Sequence, residues 1–178
     1  MEMTTKAAEG IEQLLPAFHG QSAQILAYVA ARGTATPEEI RKDLRMPKST
    51  IYKLLSQLVR TGLVVKEKVG RVESIRVPDF YLTIGNTALT GEWKITSRNI
   101  LAFDSAHTPA GRMFIERNGT QKFAEFVELY DGYGKGTTTS QLMARELGVT
   151  RYEIELLLSD IESIAPVVLK IGRRQNRR

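Results

Sequence analysis

The sequence predicts a mainly α protein with small β-wings, an α+β fold built from tandem winged helix-turn-helix domains. Three observations predict it. Residues 36–77 carry two short helical patterns, a proline-marked turn and two strand-like runs. A later stretch repeats the apolar positions of this one at a constant offset of 103. Basic residues crowd the first copy and not the second.

Residues 5–18 place Ile11, Leu14, Leu15 and Phe18 at i, i+3, i+4 and i+7, the stripe of an amphipathic helix. Pro16 ends it near Leu15, since proline lacks an N–H and clashes with the preceding turn. This arm, residues 1–19, either dimerises the protein through Ile11, Leu14 and Leu15 or packs onto its own domain. Ser22 to Arg32 carries Ile25, Leu26, Tyr28 and Val29, a first helix closed by Gly33. Thr36-Pro37-Glu38-Glu39 then reads as a helix start, with Thr36 as N-cap, Pro37 at N1 and Glu39 reaching back as a capping box. Met46-Pro47 ends that helix, because the residue before proline is pushed out of the α region. The next helix runs from Lys48 to Thr61, with Ile51, Leu54, Leu55 and Leu58 as its buried stripe and Gly62 at C′. Leu63 to Lys68 and Ser74 to Val77 read as strands around a turn at Val69-Gly70-Arg71.

The stretch RKDLRMPKSTIYKLLSQLVRTGLVVKEKVGRVESIRV resembles the winged helix-turn-helix domains of archaeal and bacterial transcriptional regulators of the MarR and TrmB type. The helix start, the MPKSTIYKLLSQL pattern and TGLV leading into the wing carry the resemblance, which with the first helix covers residues 20–78. It implies a double-stranded-DNA-binding domain, and a homodimer is expected because one such module buries little and two-fold sites double the contacts. Charge agrees. From Arg41 to Arg76 ten basic residues face Asp43, Glu67 and Glu73, a net +7, whereas the whole chain is +5. The apolar stripe leaves Lys48, Ser49, Thr50, Tyr52, Lys53, Ser56, Gln57 and Arg60 facing outward with no carboxylate among them. Ser49, Thr50, Tyr52 and Lys53 are the expected base contacts, beside Lys48, and Gln57 can read adenine bidentately. On the wing, Lys66, Lys68 and Arg71 would hold phosphates, or Arg71 at the tip would enter the minor groove.

Residues 79–119 change character. Phe80 to Ile84 is rich in β-formers, Gly85-Asn86 signals a turn, and Trp93–Thr96 and Ile100–Phe103 read as short strands or irregular chain. Pro109-Ala110-Gly111 marks a loop before the apolar run Met113-Phe114-Ile115. The stretch is either an inter-domain connector with a small sheet or a ligand pocket, and the connector is the reading adopted.

Residues 120–172 then repeat the unit. Leu44 to Leu58 lies over Leu147 to Ile161, with Leu44/Leu147, Ile51/Ile154, Leu54/Leu157 and Leu55/Leu158 identical. Phe123, Phe126, Val127 and Tyr130 supply a first helix, and Val167 to Ile171 the strand of a wing. Charge reverses here: Arg145 and Arg151 face five acids between Thr139 and Ile164, a net −3. Glu153, Glu155 and Asp160 stand where the first copy has Thr50, Tyr52 and Gln57, and carboxylates are repelled by phosphates. Leu156, matching Lys53, would be an exposed leucine that a protein partner covers. Residues 173–178 form a basic tail.

No enzyme site emerges. The glycines and lysine of residues 132–138 depart from the phosphate-loop pattern, since Gly136 follows Lys135 and Leu129 replaces the first glycine; they read as an inter-helix loop. Asp104, Ser105 and His107 are triad residue types in a row, which reads as a loop because a triad is a matter of geometry. Two histidines and no cysteine give no metal-ligand spacing. No cofactor, membrane span or signal peptide is expected, and nothing specifies an effector. The expected protein is a cytoplasmic, sequence-specific transcriptional regulator. The alternative is a tandem winged-helix adaptor or initiator in chromosome segregation or replication, acting through protein contacts.

Overall fold

A computed structural model describes residues 15–85 and 92–175. Ile11 and Leu14 of the expected arm lie outside the described residues, and Leu15 opens a 3₁₀ turn, Leu15–Phe18. The first unit contains α1 (Gly20–Arg32), β1 (Thr34–Ala35), α2 (Pro37–Leu44), α3 (Lys48–Arg60), β2 (Val65–Val69) and β3 (Val72–Arg76). The connecting segment forms β4 (Tyr81–Gly85), β5 (Glu92–Thr96), α4 (Ile100–Asp104), a 3₁₀ turn (Ser105–His107) and α5 (Pro109–Asn118). The second unit is α6 (Thr120–Lys135), α7 (Ser140–Leu147), α8 (Arg151–Ile164) and α9 (Pro166–Gln175).

The start of α2 follows from its capping chemistry. Glu39 N donates to the Thr36 hydroxyl at 3.2 Å, and Thr36 N donates to the Glu39 carboxylate at 2.8 Å. Ile40 of α2 and Ile51, Leu55 and Leu58 of α3 are buried in the same apolar cluster as Ile25, Leu26 and Val29 of α1. A polar network fixes α1 against α2: the Tyr28 hydroxyl donates to Asp43 at 2.6 Å, while Arg32 reaches both the Tyr28 oxygen at 3.0 Å and Glu39 at 2.9 Å. Burial, reinforced by the Asp43 carboxylate, pushes the Tyr28 hydroxyl far above its ordinary pKa. The wing is a three-stranded antiparallel sheet in the order β1-β3-β2, with Ala35 opposite Ile75 and Val69 opposite Val72. Gly70, at a φ of 67°, and Arg71 make its two-residue turn. The first wing strand begins at Val65 and not at Leu63, because Leu63 and Val64 are buried and their N–H groups bond Leu58 O under α3.

The segment between the units departs from expectation. Ile100–Phe103 is helical, and Pro109-Ala110-Gly111 opens α5 instead of forming a loop. Thr108 caps that helix by accepting from Gly111 N at 3.1 Å, with Pro109 at the first helical position, the device already used by Thr36-Pro37. Gly111 is required there: a Cβ would stand 1.8 Å from Ser105 O.

Helix boundaries recur at the offset of 103. Pro37–Leu44 and Ser140–Leu147 match at both ends, α3 and α8 start at Lys48 and Arg151, and α1 and α6 end at Arg32 and Lys135. Between the paired helices, Arg45 and Gly148 both take the left-handed conformation, with φ of 54° and 62°. The repeat stops after α8. Val167–Ile171 is not a strand but part of α9, because Ala165, Val168 and Leu169 bury at helical spacing and Pro166 suits a first helical turn. Among the described residues the second unit therefore has no wing. Instead, α9 folds back on α1 and α6. Buried apolar side chains from Phe18 to Leu169 form one cluster through both units. No helix among the described residues is long and apolar enough to cross a membrane.

Candidate nucleic-acid interface

Burying Ile51, Leu55 and Leu58 turns the opposite face of α3 outward. Lys48, Ser49, Tyr52, Lys53, Ser56, Gln57 and Arg60 are all exposed, and Thr50 is half-buried. The Lys48 ammonium stands 5.9 Å above the ring of Tyr52, a cation–π contact that keeps the charge over the start of the helix. This start is uncapped: Pro47 occupies the N-cap position and no side chain accepts from the first-turn amides. Free N–H groups, the positive end of the helix dipole and Lys48 together favour an incoming anion.

On the wing, Lys66 is engaged with Glu73 at 3.1 Å and Arg76 with Glu67 at 2.7 Å. Arg41 pairs with Glu38. Among the described residues Lys42, Arg45, Lys48, Lys53, Arg60, Lys68 and Arg71 have no acidic partner, and all seven are exposed. Of the nine expected DNA-binding positions, eight are thus presented to solvent on α3 and the wing. The ninth, Thr50, is half-covered, and Lys66 is exposed but already compensated by Glu73.

The equivalent face of α8 is used differently. Glu153, Leu156 and Asp160 lie at i, i+3 and i+7, opposite the places of Thr50, Lys53 and Gln57. Helix α5 runs along them. Glu153 accepts from Asn118 Nδ2 at 3.0 Å and lies 3.7 Å from Arg117, while Asp160 accepts from Ala110 N at 3.2 Å at the other end of α5. Leu156 is not the exposed leucine expected from sequence. It is half-buried and borders a crevice with Met113 and Phe114 of the same chain. Of the three carboxylates at the matching positions, Glu153 and Asp160 face α5, and Glu155, paired with Arg151 at 2.6 Å, projects to solvent. Glu153 also closes the first turn of α8 in a capping box with Thr150. The amides that α3 leaves open, α8 satisfies itself.

Hydrogen bonds from Asn118 and Thr150 hold the Glu153 carboxyl down to about 2, against an ordinary value of about 4.3. Because the folded value lies below the unfolded one, its stabilising contribution is fully present above pH ~5 and fades as pH falls toward about 2. Replacing Glu153 by Gln is expected to flatten this part of the stability–pH curve, read by denaturant titration between pH 2.5 and 7. An unchanged acid limb in the variant would show that Glu153 is not the group responsible.

The tempting motifs resolve structurally. Gly132, Gly134 and Lys135 are the last turn of α6, and Gly136 is its left-handed C-cap. That end presents carbonyls and suits no phosphate. Ser105 donates to Ala102 O at 2.6 Å and is fully buried, so it forms no triad with His107. What the linear spacing missed is that His19 and His107, the chain's two histidines, meet at Asp104.

Residues 18–84 match the family model described as sugar-specific transcriptional regulator TrmB. Residues 112–170 match a family of unknown function, DUF7437. No curated protein matches the chain, and no solved structure does. The first match spans the helix-turn-helix, the wing and most of β4; the second spans most of α5, all of α6 to α8 and the first half of α9.

Proposed function

We propose, from the similarity of residues 18–84 to TrmB transcriptional regulators, that the chain is a sequence-specific double-stranded-DNA-binding transcriptional regulator. It acts in the cytoplasm as a homodimer and has no catalytic role. The observation that carries this reading is the acid-free, exposed face of α3 with the unpaired wing cations Lys68 and Arg71 beside it. In this reading α3 enters the major groove with Lys48, Ser49, Thr50, Tyr52 and Lys53 nearest the base edges and Gln57 one turn deeper. Lys68 and Arg71 contact backbone or minor groove, and Lys66 joins them by exchanging Glu73 for a phosphate.

The domains divide as a winged helix-turn-helix at 20–78, a connector at 79–119 and a second, wingless helix-turn-helix copy at 120–172. The second copy is proposed not to read DNA. Its helix face is covered by α5 and its first turn is closed by Glu153.

Selection of bound sequences from a random duplex pool tests the reading: an enriched motif is expected, and flat enrichment would overturn sequence specificity. Within that motif, Gln57→Ala or Tyr52→Ala should cost about 1–3 kcal/mol on the best site and relax base preference. Arg71→Ala or Lys68→Ala should weaken all sequences alike. Wild-type affinity in all four variants would place the interface on another helix.

A further inference from the structure

The two histidines of the chain lie 88 positions apart, yet the fold brings both to one carboxylate. His19 immediately precedes α1, Asp104 ends α4, and His107 closes the following 3₁₀ turn. His19 Nδ1 is 3.0 Å from Asp104 Oδ1, His107 Nδ1 is 3.9 Å from the same oxygen, and the two imidazole rings are 4.3 Å apart. One ligand atom from each residue lies within 4.8 Å of the other two.

We infer that His19, Asp104 and His107 form a binding site for a divalent transition-metal cation, of which Zn²⁺ is the best match. Ligand chemistry selects this class, since two neutral imidazoles and one carboxylate suit Zn²⁺ and its neighbours far better than Ca²⁺ or Mg²⁺, which require oxygen donors. Geometry agrees. Tetrahedral bonds of about 2.0–2.1 Å put neighbouring ligand atoms roughly 3.3 Å apart, so the His19–Asp104 edge is already near that length. The His107 edge is longer, but its side chain is 65% exposed and can swing inward without opening the core.

The surroundings are those of a supported site. Asp104 is buried, and its other oxygen accepts from Gly20 N at 3.1 Å, which fixes the carboxylate plane. Phe103 stacks on His19 with ring centroids 6.1 Å apart, which restrains that imidazole. Three protein ligands leave a coordination position to water. A bound cation ties the start of α1, the helix underlying the DNA-facing unit, to the segment that carries α5.

Titration of the untagged full chain with Zn²⁺ by calorimetry, and with Co²⁺ by visible absorption, tests the site. One equivalent is expected to bind, with intense cobalt d–d bands and a raised thermal midpoint in Zn²⁺. His107→Ala, exposed and outside the core, should fold normally and weaken binding by about tenfold or more; His19→Gln should do the same. Should the wild type show no saturable one-equivalent binding, the inference is overturned. It is equally overturned if both histidine variants bind as the wild type does, because the cation then sits elsewhere.

Discussion

Replacing Lys48, Lys53, Lys68 and Arg71 together by alanine is expected to weaken duplex-DNA binding about 10³-fold per protomer at ~0.15 M salt. If each cation neutralises about one phosphate charge, Lys48 and Lys53 from within the groove and Lys68 and Arg71 at its edge, each releases about 0.9 counterion, worth roughly fivefold at that salt, and the four multiply. The fold should survive. All four side chains are exposed and none has an acidic partner among the described residues, so each substitution should cost about 0.5 kcal/mol or less. A folded variant that loses less than about tenfold would move the contact surface away from α3 and the wing.

Leu55→Ala is expected to be the costliest single substitution in the first unit. Leu55 is 1% exposed and lies within the cluster that includes Ile51, Leu58 and Ile75. Truncation loses burial and leaves a cavity, at a cost of about 2–5 kcal/mol. For a chain of this size that lowers the thermal midpoint by roughly 4–20 °C. The neighbouring Lys53→Ala should leave the midpoint nearly unchanged, because Lys53 is exposed. This pair separates the face of α3 that holds the fold from the face offered to DNA. Calorimetry showing equal losses for the two would contradict the assignment of faces.

What was legible in the sequence was local. Thr36-Pro37-x-Glu39, the Ile51/Leu55/Leu58 spacing and Gly70 each specify their element through nearest-neighbour chemistry, and each element stands where the sequence puts it. The two-residue β1 passed unnoticed because its one register, Ala35 opposite Ile75, is set by a residue 40 positions away. Thr108-Pro109 repeats the start signal of α2, yet Pro-Ala-Gly by itself signals a turn, and only the packing partner of α5 resolves the two. The run Val167–Ile171 is β-branched enough for a strand, and only packing against α1 and α6 selects the helix.

The site divided along the same line. Charge sign and outward face were readable on α3, where each side chain acts alone. On α8 the acids were visible but their purpose was not, because Glu153 and Asp160 serve α5, which lies 35 to 50 residues earlier in the chain. The pairing of His19 with His107 is hidden for the same reason: spacing along the chain does not report what two turns bring together around Asp104.

The central claim is that the unpaired cations of α3 and the wing meet a phosphate backbone. The most direct measurement is the affinity of the wild-type chain for a duplex, by fluorescence anisotropy, at salt concentrations from about 0.05 to 0.3 M. With six to ten phosphate contacts in a dimer, log affinity should fall against log salt with a slope of roughly −5 to −9. A slope near zero, or no binding at the lowest salt, would contradict the account.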